Sequence, residues 1–140
     1  MKGFYLEDLS VGQSAELSRV VSDQDITAFA AVTGDVNPVH LDDAYARSTP
    51  FKGRIAHGML SAGHISAVLG TRLPGPGAIY VSQTLAFKRP VHIDDEVTTK
   101  VTVTAIDPKR RFVTLSTVCQ VGGKTVVEGE AVVMVPRKAG

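Results

Sequence analysis

The sequence has little cysteine, no long apolar segment and no excess of charge of either sign. Its single cysteine, Cys119, cannot form a disulfide within the chain, so the fold must rely on a packed core. The 15 basic and 14 acidic side chains leave a net charge of +1, which gives no electrostatic basis for binding nucleic acid or an anionic membrane. We therefore expect small molecules or proteins as partners.

Segments that would direct the chain to a membrane or out of the cell are also lacking. The longest uncharged run with helical character, Ala56 to Thr71, is shorter than the roughly 20 residues that a membrane span needs. The opening MKGFYLEDLS turns acidic within a few residues, where a secretory signal would continue as an apolar run. Together with the lone cysteine, these features predict a cytoplasmic protein.

The chain length and composition favour a single globular domain. A chain of 140 residues with 44% apolar side chains can bury one substantial core, but it is too short for two of ordinary size. No repeat, linker or low-complexity segment divides it. We therefore predict one domain that covers residues 1–140.

Local signals define a first helix. Ser22 and Asp25 form a capping box at its start, in which each side chain accepts a hydrogen bond from the backbone of the other residue. Gly34 ends the helix because glycine adopts the left-handed cap conformation, and Pro38 moves the residue before it out of helical geometry. Residues 35–40 are expected to form a loop.

A second, longer helix is predicted at residues 57–73. Apolar or small side chains occur on every face of this segment, so it has no obvious solvent side. We expect other parts of the protein to surround it.

The second half of the chain alternates apolar and polar residues, which predicts β-strands. Asp107-Pro108 and Gly122-Gly123 supply turns between successive strands, so the natural connection is the antiparallel hairpin. The apolar face of such a sheet must be covered, and the long helix is available to cover it. We predict an α+β fold in which an antiparallel sheet wraps around a long central helix, with strands at residues 14–21, 79–91, 96–106, 110–121 and 124–136.

The stretch GDVNPVH, Gly34 to His40, contains two titratable side chains close together. Taken singly, its residues have a simple explanation, because Asp, Asn, Pro and Gly are common in turns. The loop that Gly34 and Pro38 force nevertheless allows Asp35 and His40 to fold back toward one cavity. An acid–base pair is therefore one interpretation, and an ordinary turn is the other.

A second candidate is the stretch RIAHGML, Arg54 to Leu60, at the start of the long helix. The first backbone N–H groups of a helix have no partner within it, and they can polarise a carbonyl with the help of the helix dipole. Gly58 permits close approach of a substrate, so this segment can provide an oxyanion hole. An ordinary helix start with a glycine needed for packing explains the segment equally well.

Three blocks of sequence together resemble the MaoC-like family of (R)-specific enoyl-CoA hydratases, which are single-domain hotdog enzymes. The blocks read FAAVTGDVNPVHLD, GRIAHGMLSAGHISAVLG and YVSQTLAFKRPVHIDDEV, and the match covers nearly the whole chain. The resemblance implies a hotdog fold and a homodimer. In the third block the family usually has Gly-Asp where this chain has Asp94-Asp95.

The resemblance also implies roles for individual residues. Asp35 and His40 match the family's catalytic pair, which holds and activates a water molecule, and the Gly58 amide matches its oxyanion donor. Ser66 matches a serine that lines the site. We add Asn37 and Arg54 as substrate-binding residues, Arg54 because its guanidinium lies just before the helix start and can meet the phosphates of coenzyme A.

The activity implied by the resemblance is addition of water to a trans-2-enoyl-CoA, giving the (R)-3-hydroxyacyl-CoA. No metal or redox cofactor is implied, and coenzyme A belongs to the substrate. Members of the family supply polyhydroxyalkanoate synthesis or act in fatty acid metabolism by β-oxidation, and the sequence leaves this choice open. Two alternatives also remain: a (3R)-hydroxyacyl-ACP dehydratase of fatty-acid synthesis and a hotdog acyl-CoA thioesterase.

Three of the histidines could contribute to a metal site. His57 and His64 are seven residues apart and share roughly one helix face, and His40 could complete a site. The recognised zinc motifs place closely spaced His next to Glu or Cys, and no such motif is present. We therefore predict no metal.

Overall fold

Within residues 1–139, which are the residues described, the computed structural model has four α-helices and six strands. In chain order these elements are β1 (Ser14–Val20), α1 (Asp23–Thr33), α2 (Pro38–Leu41), α3 (Asp43–Arg47), α4 (Gly58–Thr71), β2 (Ile79–Gln83), β3 (Ala86–Phe87), β4 (Glu96–Asp107), β5 (Phe112–Val121) and β6 (Lys124–Met134). No helix in this part of the chain combines the length and apolarity needed to cross a bilayer.

The strands form one antiparallel sheet in the order β1-β4-β5-β6-β2, and the short β3 pairs with β6. The predicted hairpins are confirmed, because β4, β5 and β6 follow one another in the chain and pair as neighbours. At the β5–β6 turn Gly122 and Gly123 both have positive φ, 56° and 78°. Two successive positive φ values are what a tight type I′ hairpin requires, and glycine adopts them at little cost.

The alternation of apolar and polar residues predicted one strand at residues 79–91, and this prediction is wrong because the strand is interrupted. Regular pairing of β2 ends at Gln83, and only the two residues of β3 pair again with β6. Between them the Thr84 carbonyl lies against Gly129, where a Cβ atom would come within 1.8 Å of its oxygen. Pro90 has no N–H to donate to a ladder, so regular pairing does not extend through it.

The helix α4 packs one face on the sheet, and Ile65, Val68 and Leu69 on that face are 0–2% exposed. The expectation that every face of α4 is covered is wrong for a single chain. Ser66 and Met59 on the opposite face are exposed, because one sheet covers only one side of a helix that lies across it. The α+β architecture with a long helix on an antiparallel sheet is confirmed.

The first helix begins and ends as predicted. Ser22 and Asp25 form the capping box, and Gly34 caps the C-terminus with a φ of 79°. The expectation that residues 35–40 form a loop is partly wrong, because Pro38 begins the short helix α2. Proline is favoured at the first position of a helix, where its missing N–H is not needed and its fixed φ already suits the helix.

The departure from the family pattern at Asp94 is accommodated without a break in the fold. Asp94 has a φ of 72°, and it is the third residue of a turn closed by a hydrogen bond from the Asp95 amide to the His92 carbonyl. A positive φ at this position favours glycine, and aspartate is among the few other residues that adopt it with some frequency.

Candidate active site

Asp35 follows directly after the left-handed cap of α1 and lies at the surface of the chain. Its backbone amide donates to the Thr33 hydroxyl at 3.2 Å, and its carboxylate Oδ1 accepts from the Asn37 amide at 3.3 Å. These local bonds form a turn that directs the chain into α2. The second carboxylate oxygen has no protein partner among residues 1–139 and remains available to a water or substrate.

His40 lies on α2 and is 8% exposed. Its Nδ1 is 2.7 Å from the Ile55 carbonyl oxygen. A carbonyl can only accept a hydrogen bond, so Nδ1 must carry the proton. In the neutral ring Nε2 is then an unprotonated acceptor, which can receive a proton or a hydrogen bond from water.

The structure brings Asp35 and His40 close together, but of the two only Asp35 lines one of the two cavities described below. A carboxylate oxygen of Asp35 and ring nitrogens of His40 and His57 all lie within 4.8 Å of one another. One water molecule can bridge two acceptors at this separation, since each hydrogen bond spans about 2.8 Å. A carboxylate and an imidazole at this distance can share one water molecule.

The surroundings of His40 keep its ring neutral. Burial lowers the pKa of His40 below its ordinary value, and the neighbouring His57 acts in the same direction. The hydrogen bond to the Ile55 carbonyl and the Asp35 carboxylate oppose the shift without reversing it. The imidazole Nε2 is therefore an unprotonated acceptor at neutral pH.

Arg54 is bound within the chain. Its Nε–H donates to the His40 carbonyl at 2.6 Å, and its Nη2 lies 2.6 Å from Asp23 Oδ1. The side chain is 10% exposed. The role of Arg54 in substrate binding stays a prediction, and this inward position favours instead a role in holding α2 against α1.

Asn37 and Ser66 occupy different positions relative to the pair. Asn37 caps α2, because its Oδ1 accepts from the Val39 amide at 3.2 Å, and its contact with substrate stays a prediction. Ser66 lies on α4 and lines, together with Asp35, a cavity of about 700 Å³ whose wall is mainly apolar. The structure thus brings Ser66 to the cavity into which Asp35 faces.

Gly58 is the first residue of α4, and its amide has no acceptor within residues 1–139. The residue before it, His57, occupies the N-cap position without a side-chain cap, so the start of the helix stays open. A Cβ atom at Gly58 would come within 2.6 Å of the Phe87 ring. Glycine is therefore required here for the close approach of Phe87, in addition to any chemical role.

A second cavity, of about 530 Å³, opens at this helix start. It is bounded by Gly58, Phe87 and Met59, and by the cationic side chains of Lys88 and Arg89. Met59 also lines the cavity of Asp35 and Ser66, so the two cavities adjoin at the first turn of α4. A ligand at this turn can reach both the free amide and the acidic residue.

His57 is the residue whose position the sequence did not reveal. It is 3% exposed, its ring stacks on His40 with a centroid distance of 3.8 Å, and its Nε2–H donates to the Asp35 carbonyl at 2.9 Å. These contacts join residues 17 and 22 positions apart in the chain, and no local pattern indicates them.

Asp35, His40 and His57 also form the kind of cluster that can hold a metal, but the ring geometry argues against it. The two imidazole planes are stacked and tilted by only 27°. Planes so nearly parallel meet well beyond the roughly 2 Å of a zinc–nitrogen bond, so their in-plane lone pairs do not point at one ion. His64, the other histidine considered, lies outside this cluster.

Comparison with known proteins shows similarity over nearly the whole chain. A family model described as MaoC like domain matches residues 9–133. The chain is 60% identical over 134 residues to the (R)-specific enoyl-CoA hydratase of Rhodospirillum rubrum, covering 96% of this chain and 93% of that protein. It is 52% identical over 138 residues to the 3-hydroxybutyryl-CoA dehydratase of Methylorubrum extorquens, covering 99% of this chain and 88% of that protein.

Comparison with a solved structure also supports membership of this fold. The R-hydratase PhaJ1 from Pseudomonas aeruginosa, in its unliganded form, superimposes with a TM-score of 0.93 at 47% identity. The superposition covers 97% of this chain and 88% of that one. Together with the antiparallel sheet and α4, this agreement confirms the expected hotdog fold.

The tautomers of the two stacked histidines can be measured directly. We expect ¹⁵N spectra of the labelled protein to show His40 protonated at Nδ1 and His57 protonated at Nε2, because each of these nitrogens faces a carbonyl. On titration, His40 should protonate below the ordinary imidazole pKa of about 6.5, since burial disfavours its charged form.

The spectrum of a His40→Asn variant assigns the His40 signals by their loss. A His40 ring protonated at Nε2 near neutral pH, or a titration midpoint above the ordinary value, would contradict this description of the site.

Proposed function

Because the chain belongs to the MaoC-like domain family, we propose that it catalyses (R)-specific hydration of a trans-2-enoyl-CoA to the (R)-3-hydroxyacyl-CoA. It is a hydro-lyase, as its relatives are named. The observation that carries the proposal is the close approach of Asp35 and His40, whose carboxylate oxygen and ring nitrogen lie within 4.8 Å of each other. The reverse reaction, dehydration, uses the same groups.

In the proposed first step the bridging water donates one hydrogen bond to the Asp35 carboxylate and one to His40 Nε2. Both groups are acceptors, so an oxygen lone pair of the water is left free to attack the β carbon. Asp35 takes a proton from the water as the new C–O bond forms, and His40 orients the water. A proton held by the pair then passes to the α carbon, which completes the addition of H and OH across the double bond.

Negative charge develops on the thioester oxygen as the water attacks. The free amide of Gly58, at the positive end of the α4 dipole, is proposed to donate a hydrogen bond to that oxygen. A well-placed donor of this kind contributes about 3 kcal/mol to the transition state. The amide and the water-binding pair thus act on opposite ends of the enoyl group.

The two adjoining cavities suggest how the substrate lies. The cavity at Gly58 is flanked by Lys88 and Arg89, whose cations suit the phosphates of coenzyme A. Lys88 is 50% exposed and lies 3.5 Å from Glu128, a surface contact that a phosphate can replace at little cost. The apolar cavity with Asp35 and Ser66 is then left for the acyl chain.

We also propose that the protein acts as a homodimer that pairs through β2. One side of β2 pairs with β6, and the other side has no partner strand within residues 1–139. Ile79, Tyr80 and Val81 on this edge strand are 60%, 41% and 46% exposed, and β2 has no charged residue. The opposite edge, β1, carries Glu16 and Arg19, and such charges discourage pairing between chains.

A second copy at this edge would also cover the open side of the site. Asp35, Ser66 and Met59 are exposed in the single chain, and Val36 beside them is 65% exposed. Water-sensitive proton transfers proceed better where bulk solvent is excluded. The dimer is therefore proposed to complete the cavity of the acyl chain.

Activity should depend on both members of the pair. We expect Asp35→Asn and His40→Asn each to reduce hydration of crotonyl-CoA by at least about 100-fold, the usual contribution of a positioned acid or base. In His40→Asn the side-chain amide can still donate to the Ile55 carbonyl, whereas the Nε2 acceptor is lost together with the ring that stacks on His57. The measurement is the loss of enoyl absorbance, with melting temperature as the check on folding.

The exposed Asp43 on α3 provides a matched control, and Asp43→Asn should keep full activity. Near-normal hydration by either site variant would overturn the assignment. Release of free thiol from crotonyl-CoA would point to a thioesterase, and much faster turnover of the acyl-carrier-protein thioester would point to a dehydratase of fatty-acid synthesis.

The role of the Gly58 amide can be separated from the space at Gly58 by two substitutions. Gly58→Ala and Gly58→Pro both add a Cβ that displaces the Phe87 ring, but only proline removes the N–H. The helix tolerates proline here because Gly58 is its first residue and His57 has the extended backbone, ψ 135°, that precedes proline well.

We expect kcat of Gly58→Pro to lie about 100-fold or more below that of Gly58→Ala, as on loss of one oxyanion donor. Gly70→Ala on the same helix, with nothing near its added Cβ, should retain activity. Equal kcat for the alanine and proline variants would exclude the amide as the donor.

The dimer proposal is tested by a charge on the β2 edge. The wild-type protein should sediment at twice the 14.8 kDa chain mass at micromolar concentration, and Ile79→Lys should shift it toward the monomer. Val20, 50% exposed on β1, offers the matched control, since Val20→Lys should leave the dimer intact. A monomeric wild-type protein would be incompatible with the proposal.

A further inference from the structure

We propose that His57 is a positioning residue that fixes the distance between Asp35 and His40 that the reaction requires. This inference rests on the proposed function and deepens it. The sequence interpretation gave His57 no part in the chemistry. The structure places its ring against both members of the pair, with stacking on one and a hydrogen bond to the backbone of the other.

Four hydrogen bonds join residues 54–57 to the segment that carries the pair. Three of them reach only α2: they run from the Ile55 amide to Val39, from His40 Nδ1 to Ile55, and from Arg54 to the His40 carbonyl. The fourth, from His57 Nε2, reaches Asp35. The other bonds of Asp35 within residues 1–139 are local, to Thr33 and Asn37.

The position of Asp35 relative to His40 therefore depends on His57. Asp35 lies in an exposed turn between two helices, and its local bonds to Thr33 and Asn37 shape that turn. The bond from His57 ties the turn to the start of α4, and the His57 ring is held in turn by contacts with Phe29, at a centroid distance of 4.7 Å, and with His40, at 3.8 Å. A shift of the turn would change the gap that the bridging water has to fill.

The state of the His57 ring supports this role. Nε2 carries the proton that the Asp35 carbonyl accepts, so Nδ1 is left with a lone pair, and this buried nitrogen has no partner among residues 1–139. A buried acceptor without a partner destabilises the fold. His57 also occupies an N-cap position, where Ser, Thr, Asn or Asp would stabilise the helix, and it makes no cap bond.

His57 also influences the protonation of His40. The groups that face His40 are the His57 ring, the Asp35 carboxylate and the Ile55 carbonyl, and Arg54 binds its backbone. Of these, the His57 ring acts with burial to lower the pKa of His40. Its replacement by a side chain that cannot take up a proton should raise the pH at which His40 becomes charged.

Two substitutions separate the contacts of His57. Phenylalanine keeps a ring for stacking and removes the donor to Asp35, whereas glutamine keeps a donor in the place of Nε2 and removes the ring. For His57→Phe we expect kcat for crotonyl-CoA to fall by about 10- to 100-fold, as for a small misplacement of a catalytic group, with little change in KM. His57→Gln should recover part of this loss, and in both variants the acid limb of the kcat/KM profile should move to higher pH.

His64 supplies the matched control because it lies on the same helix and its Nδ1 is likewise buried without a partner. His64→Phe and His64→Gln should alter melting temperature without changing kcat or the acid limb. Wild-type kcat in His57→Phe would overturn the proposal. So would equal losses in both His57 variants with an unchanged acid limb, since that pattern reports only a structural role.

Failure of the His57 proposal can be distinguished from failure of the proposed function. The ¹⁵N titration of His40 needs no substrate, and its midpoint should rise in His57→Phe whatever reaction the enzyme catalyses. If His57→Phe does not fold, His57→Gln decides the question, and wild-type kcat together with an unchanged His40 midpoint in that variant would overturn the proposal. A wild-type protein without hydratase activity would refute the proposed function alone.

Discussion

The hydrogen bond from His40 Nδ1 to the Ile55 carbonyl is the interaction on which the chemistry of the site depends. It fixes which ring nitrogen is protonated and so leaves Nε2 as an acceptor beside the Asp35 carboxylate. Without it the same two side chains would still be neighbours, but the imidazole could equally present a donor. A backbone carbonyl in the segment before α4 thus determines which ring nitrogen of His40, on α2, is a donor and which is an acceptor.

The fold supports this arrangement by keeping one end of α4 open. The sheet buries one face of the helix, and no side chain caps its start, so the Gly58 amide stays available next to the stacked histidines. Capping would have stabilised the helix, and a partner for His57 Nδ1 would have stabilised the core. At the start of α4 the chain thus lacks two stabilising contacts, a side-chain cap and a partner for His57 Nδ1 among residues 1–139.

The sequence predicted those features that depend on neighbouring residues. Ser22 and Gly34 mark the ends of α1 because capping is a local interaction, and paired glycines mark the β5–β6 turn for the same reason. Pro38 indicates from sequence only the end of α1, whereas in the structure it also begins α2. The contact of His57 with Asp35 was not predictable, since it depends on how α4 packs and on no spacing within the chain.

The residues proposed to take part in the reaction lie between Asp35 and Ser66. This stretch of chain runs between β1 and β2. The strands β4, β5 and β6 contribute no such residue. The walls of the two cavities, in contrast, are built partly by strand residues such as Tyr80, Phe87 and Val127. The proposed reaction thus depends on one stretch of chain, whereas the fit of the substrate depends on that stretch and on the strands together. Substitutions in the strands can reshape the space for an acyl chain while the protonation states of the pair stay as they are, so substrate range can evolve without rebuilding the catalyst.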